Sequence, residues 1–200
     1  MFKLRAIASA IRVSLILWLL TGIIYPLFIL LVAQIPLFQY EAKGSVMVDL
    51  YNEPIGSALI GQTFTSEEYF HSRPSSVLYS QGKKAQPTGI SGSSNLAPSN
   101  PKLLERISET VNILQDEGVD LRADLIYTSA SGLDPHITYK SALQQLNRVA
   151  SARNLRPDEI FPDIVKYTEG RFLNIFGEPG VNILKLNYAL DLREISRRRN

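Results

Sequence analysis

The chain has 200 residues, with 21 Lys and Arg against 19 Asp and Glu, a formal charge of +2 and no cysteine. Disulfides and a lipoprotein anchor are excluded, so the fold must stand on its core and its partners. The small, dispersed charge lacks the clustered basic face that nucleic acid requires, and no nucleic-acid partner is expected.

Residues 1–12 form a short stub carrying Lys3, Arg5 and Arg12, and residues 13–35 form an uncharged apolar run. As a helix that run is roughly 35 Å long, enough for a hydrocarbon core of about 30 Å. Cations precede the span and no acid does. The positive-inside rule then keeps the amino terminus in the cytoplasm and places residues 36–200 on the extracytoplasmic (periplasmic) side of the cell inner membrane. A cleaved secretory signal is the rival reading. Its apolar region has about 7–15 residues before a small-x-small site, whereas this run is longer and Leu31-Val32-Ala33 lacks the first small residue. A single-pass, uncleaved anchor is therefore expected.

Within the span, Pro26 leaves the carbonyl of Gly22 without its usual amide. Such a group needs water, protein or local distortion inside a bilayer. Trp18, Gly22 and Pro26 stand at successive i+4 steps, a helix-packing stripe on which a partner helix is favoured over a lone kinked anchor in lipid. A single span makes no pore, so a transport role requires other subunits.

Residues 36–200 hold 18 basic residues, the 21 of the chain less the three upstream, against all 19 acids. This part is near neutral and of a size for one domain. Val46-Met47-Val48 and Ala58-Leu59-Ile60 read as a strand pair around Asn52-Glu53-Pro54. Ser72 to Pro101, dense in Ser, Gly, Pro and Asn, reads as a long ordered loop. Asn100 caps a helix with Pro101 at its first position, carrying Leu103, Leu104, Ile107, Val111 and Leu114 and stopping at Gly118. Leu125 to Tyr127 reads as a short strand. A helix follows from Thr138, with Ala142, Leu143, Leu146, Val149 and Ala150 on one side and Asn154 at its end. Another starts at Pro157, with Asp158 and Glu159 in its first turn, and runs to Gly170. Val181 to Leu190 reads as a strand with Val181, Ile183 and Leu186 facing inward. Arg197-Arg198-Arg199 is the one dense basic cluster, read as a solvated end. The class is α+β: one transmembrane helix followed by a single mixed helix/strand domain.

No enzyme constellation emerges. Gly89-Ile90-Ser91-Gly92 lacks the spacing of a nucleophile elbow. His71 and His136 belong to no helical metal pair, and no metal site is assigned. His136, after Asp134-Pro135 and just before a helix, is read as capping or hydrogen-bonding. No phosphate-binding P-loop is present. Thr88 to Asn100 could offer amides to an anion, but a tightly turning loop is the favoured reading.

A series of short motifs then carries a resemblance. In order they are Thr21-Gly22 with Tyr25-Pro26, Gly56 to Gln62, Tyr69-Phe70-His71-Ser72-Arg73-Pro74, Ser91 to Leu96, and Ser99-Asn100-Pro101. After these come Thr128 to Ile137, Arg148-Val149-Ala150, Val181-Asn182-Ile183, Leu186-Asn187 and Ala189-Leu190-Asp191. The series closely resembles the C subunit of the Kdp potassium-transporting P-type ATPase, from the span almost to the carboxyl end. The resemblance implies a noncatalytic subunit of a pump in which a channel-like subunit carries potassium and a separate P-type ATPase subunit hydrolyses ATP. A small membrane peptide completes that complex, and membrane lipid surrounds it. It further implies roles in assembly and as a catalytic chaperone that raises the ATP affinity of the ATPase subunit. No cofactor is bound stably by this chain; ATP is implied for the complex. The nucleotide-binding signature that the family's motif has been compared with falls on Ser91, Gly92, Ser93, Ser94 and Asn95, with Ser93 where members usually have a second glycine. The topology inferred above puts those residues across the membrane from ATP. An accessory subunit acting through its helix and outer domain is thus the main expectation. An ATP-contacting regulator and an anchored hydrolase are the alternatives.

Overall fold

A computed structural model describes residues 2–81 and 89–199, without the side chains of Phe2, Lys3 and Arg199. Thr88 and the side chains of Lys3 and Arg199, all invoked above, lie outside the described residues. The chain divides into two compact units, residues 1–46 and 47–200.

The first unit is built on helix α1 (Phe2–Leu19), a π-helical turn (Leu20–Ile24) and helix α2 (Tyr25–Ala33). Leu4–Ala33 is long and apolar enough to cross a membrane. The π turn sits where Pro26 withholds its amide. Tyr25 N donates to Leu20 O, five residues back, and Thr21 Oγ1 donates to Leu17 O at 2.8 Å. An extra residue in one turn, rather than a break, absorbs the missing proline donor. Beyond Ala33, Ile35 is extended (ψ 130°), as the residue before a proline tends to be. A 3-10 turn (Pro36–Phe38) then leads into the short α3 (Gln39–Ala42).

The boundary between the units falls within strand β1 (Val46–Val48), which pairs with β2 (Pro54–Ser57). The expected second strand at Ala58–Ile60 is therefore displaced upstream. The Asp49 carboxylate accepts from the amides of Tyr51 (2.8 Å) and Glu53 (2.9 Å), closing the turn early. Pairing then begins at Pro54, a strand-start position where a missing amide costs nothing. Residues 61–71 are irregular, and so are residues 72–81 and 89–100 of the loop predicted over Ser72 to Pro101, apart from a 3-10 turn at Leu78–Ser80; residues 82–88 of that loop lie outside the described residues.

Helix α4 (Pro101–Asp116) has the predicted cap: Asn100 Oδ1 accepts from Lys102 N at 3.0 Å. Gly118, at φ +66°, ends it. The strand expected at Leu125–Tyr127 is instead a helical turn, α5 (Ala123–Ile126). Ile126 N and Tyr127 N turn back onto Arg122 O and Ala123 O, and the Asp124 carboxylate is drawn to Thr138 N (2.7 Å) and the Ser141 hydroxyl. Strand β3 (His136–Ile137) leads into α6 (Tyr139–Ala152), capped by Thr138. Helix α7 (Pro157–Lys166) ends short of the predicted Gly170. Tyr167 O is needed by Asn182 N (3.1 Å), and Thr168 opens strand β4 (Thr168–Glu169).

Val181–Leu190 is not one strand. Strand β5 (Gly180–Asn182) stops at Asn182, and helix α8 (Ile183–Arg199) takes the remainder. β5 lies between β3 and β4 in an antiparallel sheet, with Val181 opposite Ile137 and Thr168. Val181, Ile183 and Leu186 do face inward, because positions 183, 186 and 190 share a helix face as well. These side chains meet Phe70, Leu114, Leu125, Val149, Ile160 and Ile164 in one buried cluster.

Candidate functional site

Residues 67–74 form an irregular strap that crosses α6 and α8. A segment outside any ladder needs other partners for the backbone groups it buries, and here side chains supply them. Asn187 Oδ1 accepts from Phe70 N (2.9 Å) while its Nδ2 donates to Phe70 O (3.0 Å). Gln145 does the same for His71: its Oε1 accepts from the amide at 2.7 Å, and its Nε2 donates to the carbonyl at 3.2 Å. Both amide side chains are about 1% exposed. Arg148 donates to the carbonyls of Glu67 (2.8 Å) and Tyr69 (3.1 Å). Arg153 donates to Glu68 O (2.7 Å) and pairs with Asp191 (2.8 Å) and Glu194 (3.3 Å). Phe70 is fully buried at the strap's centre.

The strap then carries a layer of loops. Ser72 Oγ donates to Gln62 O (2.8 Å), and Ser129 N donates to Pro74 O (2.9 Å). Ser75 Oγ donates to Gly132 O (2.7 Å), and Arg73 pairs with Asp134 (3.2 Å). The Ser/Gly motif docks on the same layer: Gly92 N (2.8 Å) and Ser91 Oγ (2.9 Å) both donate to Ser131 O. Ser76 Oγ donates to Gly92 O at 3.2 Å. Gly132 is required here, at φ +69°, since a Cβ would stand 2.4 Å from Val77 Cγ2 and 2.6 Å from Gly92 O. Ser93 needs no glycine. The left-handed residue of this motif is Asn95 (φ +50°), whose Oδ1 accepts from the Ser93 hydroxyl at 2.6 Å. Ser94 lies in the same irregular stretch.

Beside this layer His136 stands between two carboxylates, with Nδ1 3.4 Å from Asp134 Oδ1 and Nε2 3.1 Å from Glu169 Oε2. The Asp134 hydrogen bond, helped by Glu169, raises the imidazole above its ordinary value against the effect of burial. Burial resists ionisation of Asp134, but hydrogen bonds with His136 and the Arg73 charge outweigh it and lower that carboxyl. For Glu169, burial is likewise outweighed by Lys185, at 2.7 Å, and by His136. Arg73, Asp134, His136 and Glu169 line a cleft of about 270 Å³. His136 thus hydrogen-bonds rather than caps; Thr138 is the cap. His71 lies elsewhere, 3.5 Å from Glu117, and burial together with Arg148 lowers its pKa. A second cleft of about 360 Å³ is lined by Phe64, His71, Arg73, Tyr79, Thr110 and Leu114, among others. There burial and Asp134 push the Tyr79 phenol up to about 12.

In the first unit the indole of Trp18 lies over Gly22, whose Cβ would stand 3.6 Å from the indole Nε1, and Pro26 follows one turn later. Gln145, Arg148, Arg153 and Asn187 went unassigned as site residues by sequence reasoning. The signal for two of them was present: Gln145 and Asn187 are polar residues on otherwise apolar helix faces, beside Ala142 and Val149 in one case and Ile183 and Leu190 in the other.

The structure brings scattered sequence motifs into one network. Tyr69–Pro74 is held by Arg148, Asn187 and Asp191, and the Thr128–Ile137 motif seats Ser91 and Gly92. The family described as K+-transporting ATPase, c chain (KdpC), matches residues 7–192. A potassium-transporting ATPase KdpC subunit 2 from Nostoc sp. strain PCC 7120 is 64% identical over 197 residues, covering 98% of each chain. The KdpC subunit of Anabaena sp. strain L31 is 60% identical over the full length of both chains. That of Synechocystis sp. strain PCC 6803 is 54% identical over 95% of this chain and all of its own. On a match of this extent, the chain belongs to the KdpC family, the c chain of the K+-transporting ATPase.

Proposed function

We propose that the chain is a noncatalytic subunit of an ATP-driven potassium-uptake complex, held in the cell membrane by residues 13–35. Its amino terminus is in the cytoplasm and residues 36–200 are outside. The observation that carries this reading is the family match over residues 7–192, which takes in both the apolar helix and the α+β unit. Lys3, Arg5 and Arg12 ahead of an acid-free span support the orientation. The partners are the channel-like potassium-translocating subunit, the P-type ATPase subunit and the small membrane peptide. ATP hydrolysis belongs to the ATPase subunit, and this chain contributes assembly and a higher ATP affinity.

In this orientation Ser91–Asn95 and ATP lie on opposite sides of the bilayer. The effect on ATP passes as a coupling free energy through packed helices, typically about 1–3 kcal/mol. The geometry of the motif supports an indirect route. The Gly92 amide and the Ser91 hydroxyl both donate to Ser131 O, so they serve to hold two loops together.

The test has two parts. A tag after residue 200 should be cut by protease added outside intact spheroplasts; a protected tag would put Ser91–Asn95 with the nucleotide and overturn the indirect route. The complex purified without this chain should show an ATP KM raised by about 5–150-fold, the range that such coupling gives. An unchanged KM would remove the chaperone role.

A further inference from the structure

β4 and β5 are joined by a narrow hairpin. Phe172 N donates to Phe176 O at 2.8 Å and Phe176 N donates to Phe172 O at 2.9 Å. Residues paired in this way put their side chains on the same face of the ribbon. At the base, Arg171 Nη2 donates to both carboxylate oxygens of Glu178, at 3.0 and 3.1 Å. Leu173 and Asn174 turn the tip in left-handed conformation, at φ +53° and +60°. Phe172, Leu173, Ile175 and Phe176 are 61–71% exposed, and no charged residue stands between Arg171 and Glu178. A contiguous group of large apolar side chains on a protein surface marks a contact site.

We propose that this hairpin is a docking knob for an uncharged apolar pocket on another subunit of the pump. The inference rests on the accessory-subunit reading above. Two features favour a protein pocket over a bilayer. Leucine rarely adopts a left-handed backbone, and Leu173 holds one where glycine would sit without strain, so the hairpin keeps a defined direction for that side chain. The paired amides and the Arg171–Glu178 bridge fix the tip in advance, which lowers the ordering cost of binding a shaped partner. A fluid bilayer asks for no fixed direction. It favours Trp, Tyr and free basic residues at the rim, whereas the only cation here is neutralised by Glu178. That neutrality also selects an uncharged pocket over a charged one.

The test uses the full chain co-expressed with the other subunits, with an affinity tag on the ATPase subunit. Replacing Phe172 and Phe176 together by serine should lower the amount of this chain retained by about ten-fold or more, as loss of an interface anchor does. The variant chain in detergent should keep the circular dichroism and melting of the original, since the tip is exposed. The chain has no cysteine, so Leu173→Cys creates a single attachment point for a benzophenone maleimide. Illumination of the labelled complex should give an adduct with one other subunit, and this arm decides the matter should the double variant misfold. Undiminished retention together with adducts to lipid alone, or with no adduct, overturns the proposal. Failure of the unmodified chain to be retained sinks the subunit reading itself, and this inference with it.

Discussion

In the first unit the large apolar side chains from Leu4 to Leu31 face outward all around the helix, whereas in the second they converge from Phe70 to Leu190 on one interior. The helix satisfies its own backbone and leaves its apolar surface to whatever surrounds it. The α+β unit does the reverse. It encloses its apolar surface, and for one long strap it must borrow polar side chains to satisfy the backbone. A substitution in the first unit is therefore felt by whatever surrounds the helix, and one in the core of the second by the fold itself.

The sharpest break of that contrast is Asn187→Ala. It leaves the buried amide and carbonyl of Phe70 without partners, at about 1–3 kcal/mol for each such group. Thermal unfolding of the full chain should show a destabilisation of roughly 2–5 kcal/mol; a loss no larger than that of an exposed substitution would show that the strap needs no clamp. Next is Gly132→Ala, which meets Val77 Cγ2 and Gly92 O at a left-handed position. Strain and overpacking together should cost about 2–4 kcal/mol, with protease entry at the Ser91–Asn95 loop as the companion readout.

A smaller effect distinguishes the polar cluster. The His136 pKa is raised in the folded chain, so its contribution is fully present below the ordinary histidine value of 6.5 and fades as pH rises through the raised one. Asp134 and Glu169 are lowered and act in the opposite sense, losing their contribution only in stronger acid. The melting difference between the original chain and His136→Asn should therefore be wider just below pH 6.5 than in mild alkali. A difference that is flat across that range would mean the imidazole gains nothing from its carboxylates. Smallest for the fold is Gly22→Leu, which should leave melting of the second unit unchanged yet reduce co-purification with the complex several-fold. Undiminished co-purification and transport would remove the case for close packing at Trp18, Gly22 and Pro26.

These substitutions also separate what the sequence made legible from what it did not. α4 was readable because Asn100-Pro101 and the apolar spacing agree at one place, and α6 because Thr138 caps a clear apolar face. α8 was not. The run from Val181 to Leu190 is apolar enough for either period, and only tertiary partners decide it: Ile183 N is taken by Pro135 O, and Lys185 N by the Asn182 side chain at 3.2 Å. α5 was misread for the same reason, since Asp124 is recruited by Thr138 and Ser141. The strap was beyond local reading altogether, because Phe70 and Asn187 lie 117 residues apart. Ser91–Asn95 is singled out by resemblance, while the groups that position it lie elsewhere, Ser131 in the Thr128–Ile137 motif and Ser76 outside every motif.

The π turn at Leu20–Ile24 has a consequence for how the rod presents itself. One surplus residue rotates everything after it, so a helical wheel drawn through Leu4–Ala33 with a single phase misplaces one half against the other. The apolar segment is two short cylinders in series, out of phase with each other, and deleting a single residue there would swivel the carboxyl-terminal half onto a new azimuth while leaving its composition untouched.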